Sequence, residues 1–233
     1  MPDEKAFFQL RNVYKVYRTG TVETTALADI NLDIREGEFV SVMGPSGCGK
    51  STLLNIVAML DAPTSGRYVL GGVDVSNASE SQLAAIRKGN IGFIFQNFML
   101  IDDLSVYENV ELPLRCLNVP RTQRQARVRE VLELVDLQPR AKHRPMQLSG
   151  GQQQRVAIAR AVVGDPKLIV ADEPTGNLDS RHGEEVMDML TTLHQQGTTI
   201  LMVTHSHAHA ARADRTLTML DGRLVSDTAR AAA

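Results

Sequence analysis

The segment FVSVMGPSGCGKS, residues 39–51, gives the strongest indication of the fold of this chain. Its apolar start, Phe39 to Met43, is typical of a buried strand, and residues 50–59 have the pattern of a helix. Between them, Gly44 to Ser51 matches the P-loop pattern GxxxxGK[ST] at every fixed position, in the strand–loop–helix context that the motif requires. The segment therefore predicts an α/β fold with a phosphate-binding loop.

The loop residues suit a bound nucleoside triphosphate with Mg²⁺. Backbone N–H groups of a glycine-rich loop can surround phosphate oxygens, and the N-terminus of the next helix adds the positive end of its dipole. We expect Lys50 to reach the β- and γ-phosphates and the Ser51 hydroxyl to ligate Mg²⁺. The structural alternative is a glycine-rich turn with a solvated lysine. The candidate nucleotide-binding residues of this loop are Gly44, Pro45, Ser46, Gly47, Cys48, Gly49, Lys50, Ser51 and Thr52.

Two carboxylates end a second apolar run, LIVADE, at residues 168–173. In a parallel sheet, the carboxyl ends of the strands border the crevice where ligands bind. We expect Asp172 to hold Mg²⁺ and Glu173 to orient or deprotonate the attacking water, with Lys50 as the positive charge beside the phosphates. The structural alternative is an exposed acidic turn.

A second glycine-rich helix start lies at residues 148–152, LSGGQ. Ser149, Gly150, Gly151 and Gln152 precede a stretch of helical pattern over residues 153–163, so the same physics predicts a second anion site. Two copies arranged head to tail about a twofold axis could then complete each other's sites, which predicts a homodimer. The alternative is that Ser149 is a plain helix cap.

The remaining patterns place these motifs in an α/β fold with additions. Ile30, Leu32 and Ile34 alternate with polar residues, which predicts an antiparallel strand near the N-terminus. Short apolar runs at residues 91–95, 168–171 and 199–204 are typical of a buried parallel sheet. The region 104–163 has helical periodicity, and its clearest apolar face comprises Val128, Val131, Leu132 and Val135.

We therefore predict a P-loop NTPase (RecA-like) α/β core with an N-terminal antiparallel β subdomain and an inserted α-helical subdomain. Residues 1–233 form one domain in this prediction. Residues 1–96 and 164–233 make the β subdomain and core, and residues 97–163 make the helical subdomain.

The composition excludes several functional classes. A net charge of −2 and only 6 Phe, 4 Tyr and no Trp among 233 residues disfavour a nucleic-acid partner. Residues 1–5 lack the basic region and apolar stretch of a secretory signal, and no apolar window reaches the roughly 20 residues that span a bilayer. We expect the chain in the cytosol, with any membrane contact made through a partner.

At this point the sequence resembles the ATP-binding subunits of ABC transporters, essentially from end to end. Gln96 looks like the Q-loop glutamine of that family, residues 176–179 (GNLD) look like its D-loop, and His205 stands where its switch histidine stands. Tyr17 matches the aromatic residue that stacks on adenine, although Tyr14 is close by.

The resemblance implies an ATP hydrolase that uses ATP and Mg²⁺. It implies that Glu173 polarises water, that His205 contacts the γ-phosphate, and that Gln96 links Mg²⁺ to the helical region. Ser149 and Gly151 would bind the γ-phosphate held by the partner copy. Asp179 is the D-loop member of the candidate set, and the candidate metal ligands are Ser51, Gln96 and Asp172.

Within the family, residues 61–66, 108–114 and 172–179 resemble the lipoprotein-releasing and macrolide-export (LolD/MacB-like) branch. This implies a homodimer on the cytoplasmic face of the inner membrane, bound to a separate integral membrane permease with a large extracytoplasmic domain. The cargo would be a lipoprotein, peptide, lipid or drug that is exported or released. The alternatives are a transmembrane signalling complex and a soluble ABC ATPase that clamps nucleic acid or the ribosome. Ser206 departs from the family, which usually has Asp after the switch histidine.

Overall fold

A computed structural model of the chain describes residues 6–229, which form two compact units. The first unit contains residues 6–87 and 199–229, and the second contains residues 88–198. Residues 1–5, which bear on the expected absence of a secretory signal, lie outside the described part. The strands and helices in chain order are β1 (Phe8–Thr19), β2 (Val22–Ile34), β3 (Phe39–Met43), α1 (Lys50–Val57), β4 (Ser65–Leu70), β5 (Val73–Asp74), α2 (Glu80–Arg87), β6 (Ile91–Phe95), α3 (Val106–Cys116), α4 (Arg121–Leu134), α5 (Gly150–Val162), β7 (Leu168–Asp172), α6 (Ser180–Gln195), β8 (Thr199–Val203), α7 (His207–Ala210), β9 (Arg215–Leu220) and β10 (Arg223–Ala229).

The first unit contains an antiparallel sheet with the strand order β2-β1-β4-β5. β1 pairs with β2 from Phe8 opposite Ile34 onward, and with β4 on its other side. Ile30, Leu32 and Ile34 are buried while Asn31 and Asp33 are exposed, as the alternation predicted. One face of β2 therefore lies in the core of this unit.

The same unit contains a group of strands in the order β10-β9-β3-β8. β3 pairs in parallel with both β8 and β9, and β10 is antiparallel to β9. β3 has the bounds that the sequence predicted, and α1 ends at Val57, two residues before the predicted end at Met59. Met59 itself has a left-handed backbone with φ of 56°, which stops the helix. Sequence patterns did not predict β1, β4, β5, β9 or β10.

The second unit contains the parallel pair β6 and β7, in register from Ile91 opposite Leu168 to Phe95 opposite Asp172. Between these strands lie the helices α3, α4 and α5 and two 3₁₀ helices, Gln138–Arg140 and Pro145–Gln147, so the helical character predicted for residues 104–163 is confirmed. The helix α6 follows β7. The apolar face of α4 is buried as expected. None of the helices in residues 6–229 is both long enough and apolar enough to cross a bilayer.

Taken by itself, each unit agrees with the α/β class predicted from sequence. The division of the chain at residues 97 and 163 stays a prediction.

Candidate functional site

The loop between β3 and α1 is shaped by close backbone approaches. A Cβ on Gly44 would lie 2.3 Å from the carbonyl oxygen of Met219, and one on Gly49 would lie 2.4 Å from that of Ala26. Gly49 also has a φ of 102°, a region that favours glycine. It is the N-cap of α1 without a side-chain cap, so no side chain covers the N–H groups of the first helical turn from that position. This leaves a cradle of backbone donors suited to phosphate.

Lys50 lies inside this loop. Its Nζ donates to the carbonyl oxygens of Gly44 and Pro45 at 2.9 and 2.8 Å, and the residue is only 6% exposed. Ser46 and Gly47 are exposed at the tip, and Ser51 is exposed at the first turn of α1. The Lys50 ammonium group and the exposed tip of the loop therefore lie on the same short segment.

Cys48 differs from its neighbours because its side chain turns inward. The residue is buried, and its Sγ lies 3.9 Å from Lys50 Nζ. Cys48 can contribute to ligand binding through its main chain, while its sulfur packs on the buried side of the loop.

Tyr17 is held beside α1 by a polar cluster that the sequence did not predict. Its hydroxyl donates to Asp61 at 2.9 Å, and it also shares a hydrogen bond with Thr52. Lys15 Nζ donates to Asp61 at 2.6 Å and lies 4.9 Å from the centre of the Tyr17 ring. Burial raises the pKa of the Tyr17 phenol, and the hydrogen bond to Asp61 raises it further. Tyr17 as a whole residue is 41% exposed, which leaves its ring able to stack on a ligand.

Asp61 is the centre of that cluster. Burial works to raise the pKa of its carboxyl group, but the hydrogen bonds from Lys15, Tyr17 and the Ala62 N–H together outweigh burial and lower the pKa. The carboxylate therefore stays charged at neutral pH and orients the Tyr17 hydroxyl. Lys15 and Asp61 are 46 residues apart, and no local pattern signals their pairing.

His205 follows β8 at the edge where β3 enters the phosphate loop. Val203 is opposite Val42 in the parallel pair, and the Thr204 N–H donates to the Val42 carbonyl at 3.2 Å. His205 is exposed there. Ser206, which replaces the family's aspartate, caps α7 by accepting the His209 N–H at 3.3 Å. The first unit thus brings the loop, Tyr17 and His205 to one region.

In the second unit, Gln96 and the carboxylates follow the ends of paired strands. Phe95 is opposite Asp172, so Gln96 and Glu173 each come directly after neighbouring strand ends. Glu173 has φ of 45°, an uncommon conformation for a residue with a side chain. Such strain is found where the surrounding structure imposes it, often at functional sites.

The Gln96 side chain is fixed by Asn177, which sequence analysis did not single out. Gln96 Nε2 donates to Asn177 Oδ1 at 3.2 Å, and Asn177 Nδ2 donates back to the Gln96 carbonyl at 3.1 Å. A Cβ on Gly176 would lie 2.7 Å from Gln96 Nε2, so glycine is required for this fit. The Gln96 side chain therefore bonds Asn177 through its amide nitrogen and not through its amide oxygen.

Arg160 anchors the segment that follows Gln96. It donates to the carbonyl oxygens of Phe98, at 2.8 Å, and Met99. Both residues have left-handed backbones, with φ of 57° and 51°. Burial lowers the pKa of the Arg160 guanidinium group. Its position near the end of α5 carries no sequence signal for this role.

The start of α5 is a capping box. Ser149 Oγ accepts the Gln152 N–H at 3.3 Å, and Gln152 Oε1 accepts the Ser149 N–H at 3.1 Å. Ser149 is therefore a helix cap, as the alternative interpretation of its sequence proposed. The residue is exposed at the start of the helix. The helix begins at Gly150, three residues before the predicted start, so Gly150 and Gly151 belong to its first turn.

Asp179 stands at the start of α6 as its N-cap. It accepts the His182 N–H at 2.9 Å, and the His182 ring nitrogen Nδ1 lies 2.9 and 2.8 Å from its two carboxylate oxygens. The second unit thus holds Gln96, Asp172, Glu173 and Asp179 on segments that follow the paired ends of β6 and β7.

The comparisons with known proteins agree with these features. The family described as "ABC transporter" matches residues 27–176. The macrolide export ATP-binding/permease protein MacB of Brucella melitensis is 47% identical over 222 residues, which is 95% of this chain and 34% of that protein. This chain therefore spans about a third of the length of that MacB relative.

Two further relatives are matched over nearly their whole length. The ABC transporter ATP-binding protein MJ1508 of Methanocaldococcus jannaschii is 51% identical over 93% of this chain and 97% of that protein. The solved dimeric structure of the ATP-binding cassette MJ0796 in a post-hydrolysis state with ADP and Pi is similar at a TM-score of 0.90. That match has 43% identity and covers 97% of this chain and 100% of the other.

Proposed function

The chain belongs to the ABC transporter family, and from that premise we propose that it hydrolyses ATP as a homodimer to drive an integral membrane permease. The observation that carries this proposal is the loop between β3 and α1. There the Gly44 and Pro45 carbonyl oxygens hold the Lys50 ammonium group, and the first N–H groups of α1, which no N-cap side chain covers, suit a phosphate. The dimeric cassette MJ0796, whose structure contains ADP and Pi, supports both the nucleotide and the pairing of two copies.

Each unit contains groups that suit Mg²⁺. The Ser51 hydroxyl of the first unit is a hard oxygen donor of the kind that Mg²⁺ prefers, and so are the Asp172 carboxylate and the Gln96 amide oxygen of the second unit. The hydrogen bond from Gln96 Nε2 to Asn177 supports this role, because it directs the amide oxygen away from Asn177. When bound, Mg²⁺ would neutralise charge that develops on the phosphate oxygens.

The protein's own side chains and helix starts have the remaining roles in binding and hydrolysis of ATP. Lys50 stabilises negative charge on the β- and γ-phosphates, and Glu173 orients the attacking water. His205 contacts the γ-phosphate, and Tyr17 stacks on the adenine. The start of α5, with Ser149, Gly150, Gly151 and Gln152, faces the γ-phosphate bound by the partner copy, and Asp179 belongs to the same face. Catalysis then comes from positioning and electrostatics in a closed dimer.

The role of Glu173 gives the direct test. In Glu173→Gln the side chain keeps its size but loses its charge, so we expect kcat for ATP to fall at least about 100-fold, in the range typical for loss of a catalytic base. The variant should also form a stable dimer with MgATP in size-exclusion chromatography. Glu133→Gln, an exposed glutamate on α4, is the matched control and should behave like the wild type. Wild-type turnover in Glu173→Gln would overturn this assignment, and a wild-type chain without ATPase activity would overturn the proposed function.

We further propose that the partner permease has a large extracytoplasmic domain and that the chain acts at the cytoplasmic face of the inner membrane, in export or release of a lipoprotein, peptide, lipid or drug. The names of the MacB relatives, macrolide export ATP-binding/permease proteins, support the permease partner and the role in export. The test is a pull-down from detergent-solubilised membranes with tagged Glu173→Gln and MgATP. Recovery of such a permease supports the proposal, and recovery of only ribosomal or DNA-associated proteins contradicts it.

A further inference from the structure

His182 makes an unusually complete contact with Asp179. The backbone N–H of His182 donates to Asp179 Oδ1, as expected of a residue three positions after an N-cap. In addition, the imidazole Nδ1 lies 2.9 Å from Oδ1 and 2.8 Å from Oδ2 of the same carboxylate. A backbone bond alone leaves an exposed aspartate free to rotate. The second contact, from the ring, fixes the plane of the Asp179 carboxylate.

The same imidazole lies against Gly151 in the first turn of α5. A Cβ on Gly151 would lie 2.5 Å from His182 Cδ2, 2.8 Å from Cγ and 3.1 Å from Cβ. Real Cβ atoms do not approach other atoms that closely, so the ring occupies the space that any larger residue at position 151 would need. His182 therefore touches Gly151 on one element and Asp179 on another.

We propose that His182 is a positioning residue that locks the Asp179 carboxylate and the first turn of α5 into one arrangement. This inference rests on the proposed function, in which Asp179 and residues 149–152 face the partner copy. The ring acts as a spacer of fixed shape, and its Nδ1–H supplies a hydrogen bond that a smaller side chain cannot replace. Loss of the ring would let the two segments move separately, which lowers the population of dimers that are competent for hydrolysis.

The electrostatics of Asp179 agree with this role. Hydrogen bonds from the His182 backbone, and then from its side chain, lower the pKa of the Asp179 carboxyl group. Asp179 is therefore ionised at neutral pH, and it remains an acceptor for the imidazole N–H. His182 is about one-third exposed and Asp179 about two-thirds exposed, so the pair lies at the surface where a second copy can reach it.

Steady-state ATPase kinetics test the proposal. We expect His182→Ala to lower kcat at least about tenfold, the scale of one lost hydrogen bond to a charged group, with KM for ATP within twofold of wild type. His182→Asn places an amide nitrogen where Nδ1 stood and should restore at least half of kcat. His182→Gln places its amide nearer the position of Nε2 and should stay as low as His182→Ala.

His143→Ala is the matched control, because this half-exposed histidine of the same unit bonds Arg140 and no predicted site residue. It should keep the wild-type kcat. Wild-type kcat in His182→Ala, or equal losses in the Asn and Gln variants, would overturn the proposal. A rise in KM for ATP without a change in kcat would also contradict a positioning role.

A thermal-unfolding cycle tests the contact without any activity. Alanine is normally favoured over glycine inside a helix. Against His182, however, Gly151→Ala should lower Tm by about 4 °C, the scale expected for overpacking in a chain of this size. In the His182→Ala background, Gly151→Ala should lower Tm by less than half as much. Equal costs in both backgrounds refute the contact. An inactive wild type that still shows the coupling refutes the proposed function and leaves the Gly151–His182 contact established.

Discussion

Arg160 offers the sharpest test of how the segment after Gln96 is held. Its guanidinium group bonds the carbonyl oxygens of Phe98 and Met99, two consecutive residues with left-handed backbones. Each such conformation costs roughly 1–2 kcal/mol for a residue with a side chain. The segment is therefore held in a strained shape that needs an external anchor, and we expect Arg160→Met to release it.

The structure sets the size of the effect. Hydrogen bonds that involve a charged group contribute about 1.5–3 kcal/mol each. Two of them are lost, but the cost of burying the guanidinium group, which also lowers its pKa, is recovered in the variant. We therefore expect the free energy of opening this segment to fall by about 2–3 kcal/mol, which corresponds to an opening equilibrium about 30 to 150 times larger.

Hydrogen exchange followed by NMR measures this opening residue by residue. The Phe98 N–H, which donates to the Phe95 carbonyl at 3.1 Å, should exchange faster by that factor. The Ile101 N–H is held separately by the buried Asn109 side chain at 2.8 Å and should change much less. Arg155→Met, on the same helix, removes one ion pair with Glu185 and should leave exchange at Phe98 unchanged. Exchange at Phe98 within threefold of wild type in Arg160→Met would refute the reasoning.

Three other predictions concern pH, packing and thiol access. Hydrogen bonds from the Ser76 hydroxyl and N–H, and then the contact with Arg67, lower the pKa of Asp74 to about 2. Its stabilising contribution is thus complete above the unfolded pKa of about 3.9 and is lost as pH falls toward 2, so the Tm difference between wild type and Asp74→Asn should close over that interval. Gly92→Ala should destabilise the chain by about 3 kcal/mol in urea unfolding, because its Cβ would lie 2.4 Å from the Ala161 carbonyl oxygen; Gly164→Ala, whose Cβ would meet Leu117 at an ordinary 3.5 Å, is the control, and equal losses would contradict the packing argument. A maleimide should modify the exposed Cys116 quickly and the buried Cys48 slowly, and MgATP should slow Cys48 further; equal rates by mass spectrometry would show that the loop is open.

Much of the fold was predictable because its signals are local. The bounds of β3 and β6 agree with the apolar runs, and the helical region and the buried face of α4 were also predicted. The start of α5 was predicted three residues late, because Gly150 and Gly151 have low helix propensity and gave no helical pattern. In the structure, the Ser149 capping box stabilises this first helical turn. β9 has a short alternation, in which Leu217 and Met219 are buried and alternate with less buried threonines, and the sequence analysis did not use it. β10 lacks such a pattern, so it is recognised only through its antiparallel pairing with β9.

In the candidate site, too, the local motifs were predictable from the sequence and the contacts between remote residues were not. The phosphate loop, the strand that ends in Asp172 and Glu173, and the start of α5 are contiguous motifs, so spacing alone indicated their chemistry. The contacts that hold the side chains of these motifs were not predictable. Gln96 and Asn177 are 81 residues apart, and Lys15 and Asp61 are 46 apart.

The class of chemistry is evident from the amino-acid sequence, because a P-loop needs its glycines, lysine and serine at fixed spacings within one strand–loop–helix segment. How the side chains around that chemistry are held depends on the folded chain. The anchoring of Gln96 by Asn177, and the packing of His182 on both Gly151 and Asp179, join residues that are remote in sequence. The physical reason is that hydrogen bonds and close packing act over a few ångströms, so such partners are known only once the chain has folded.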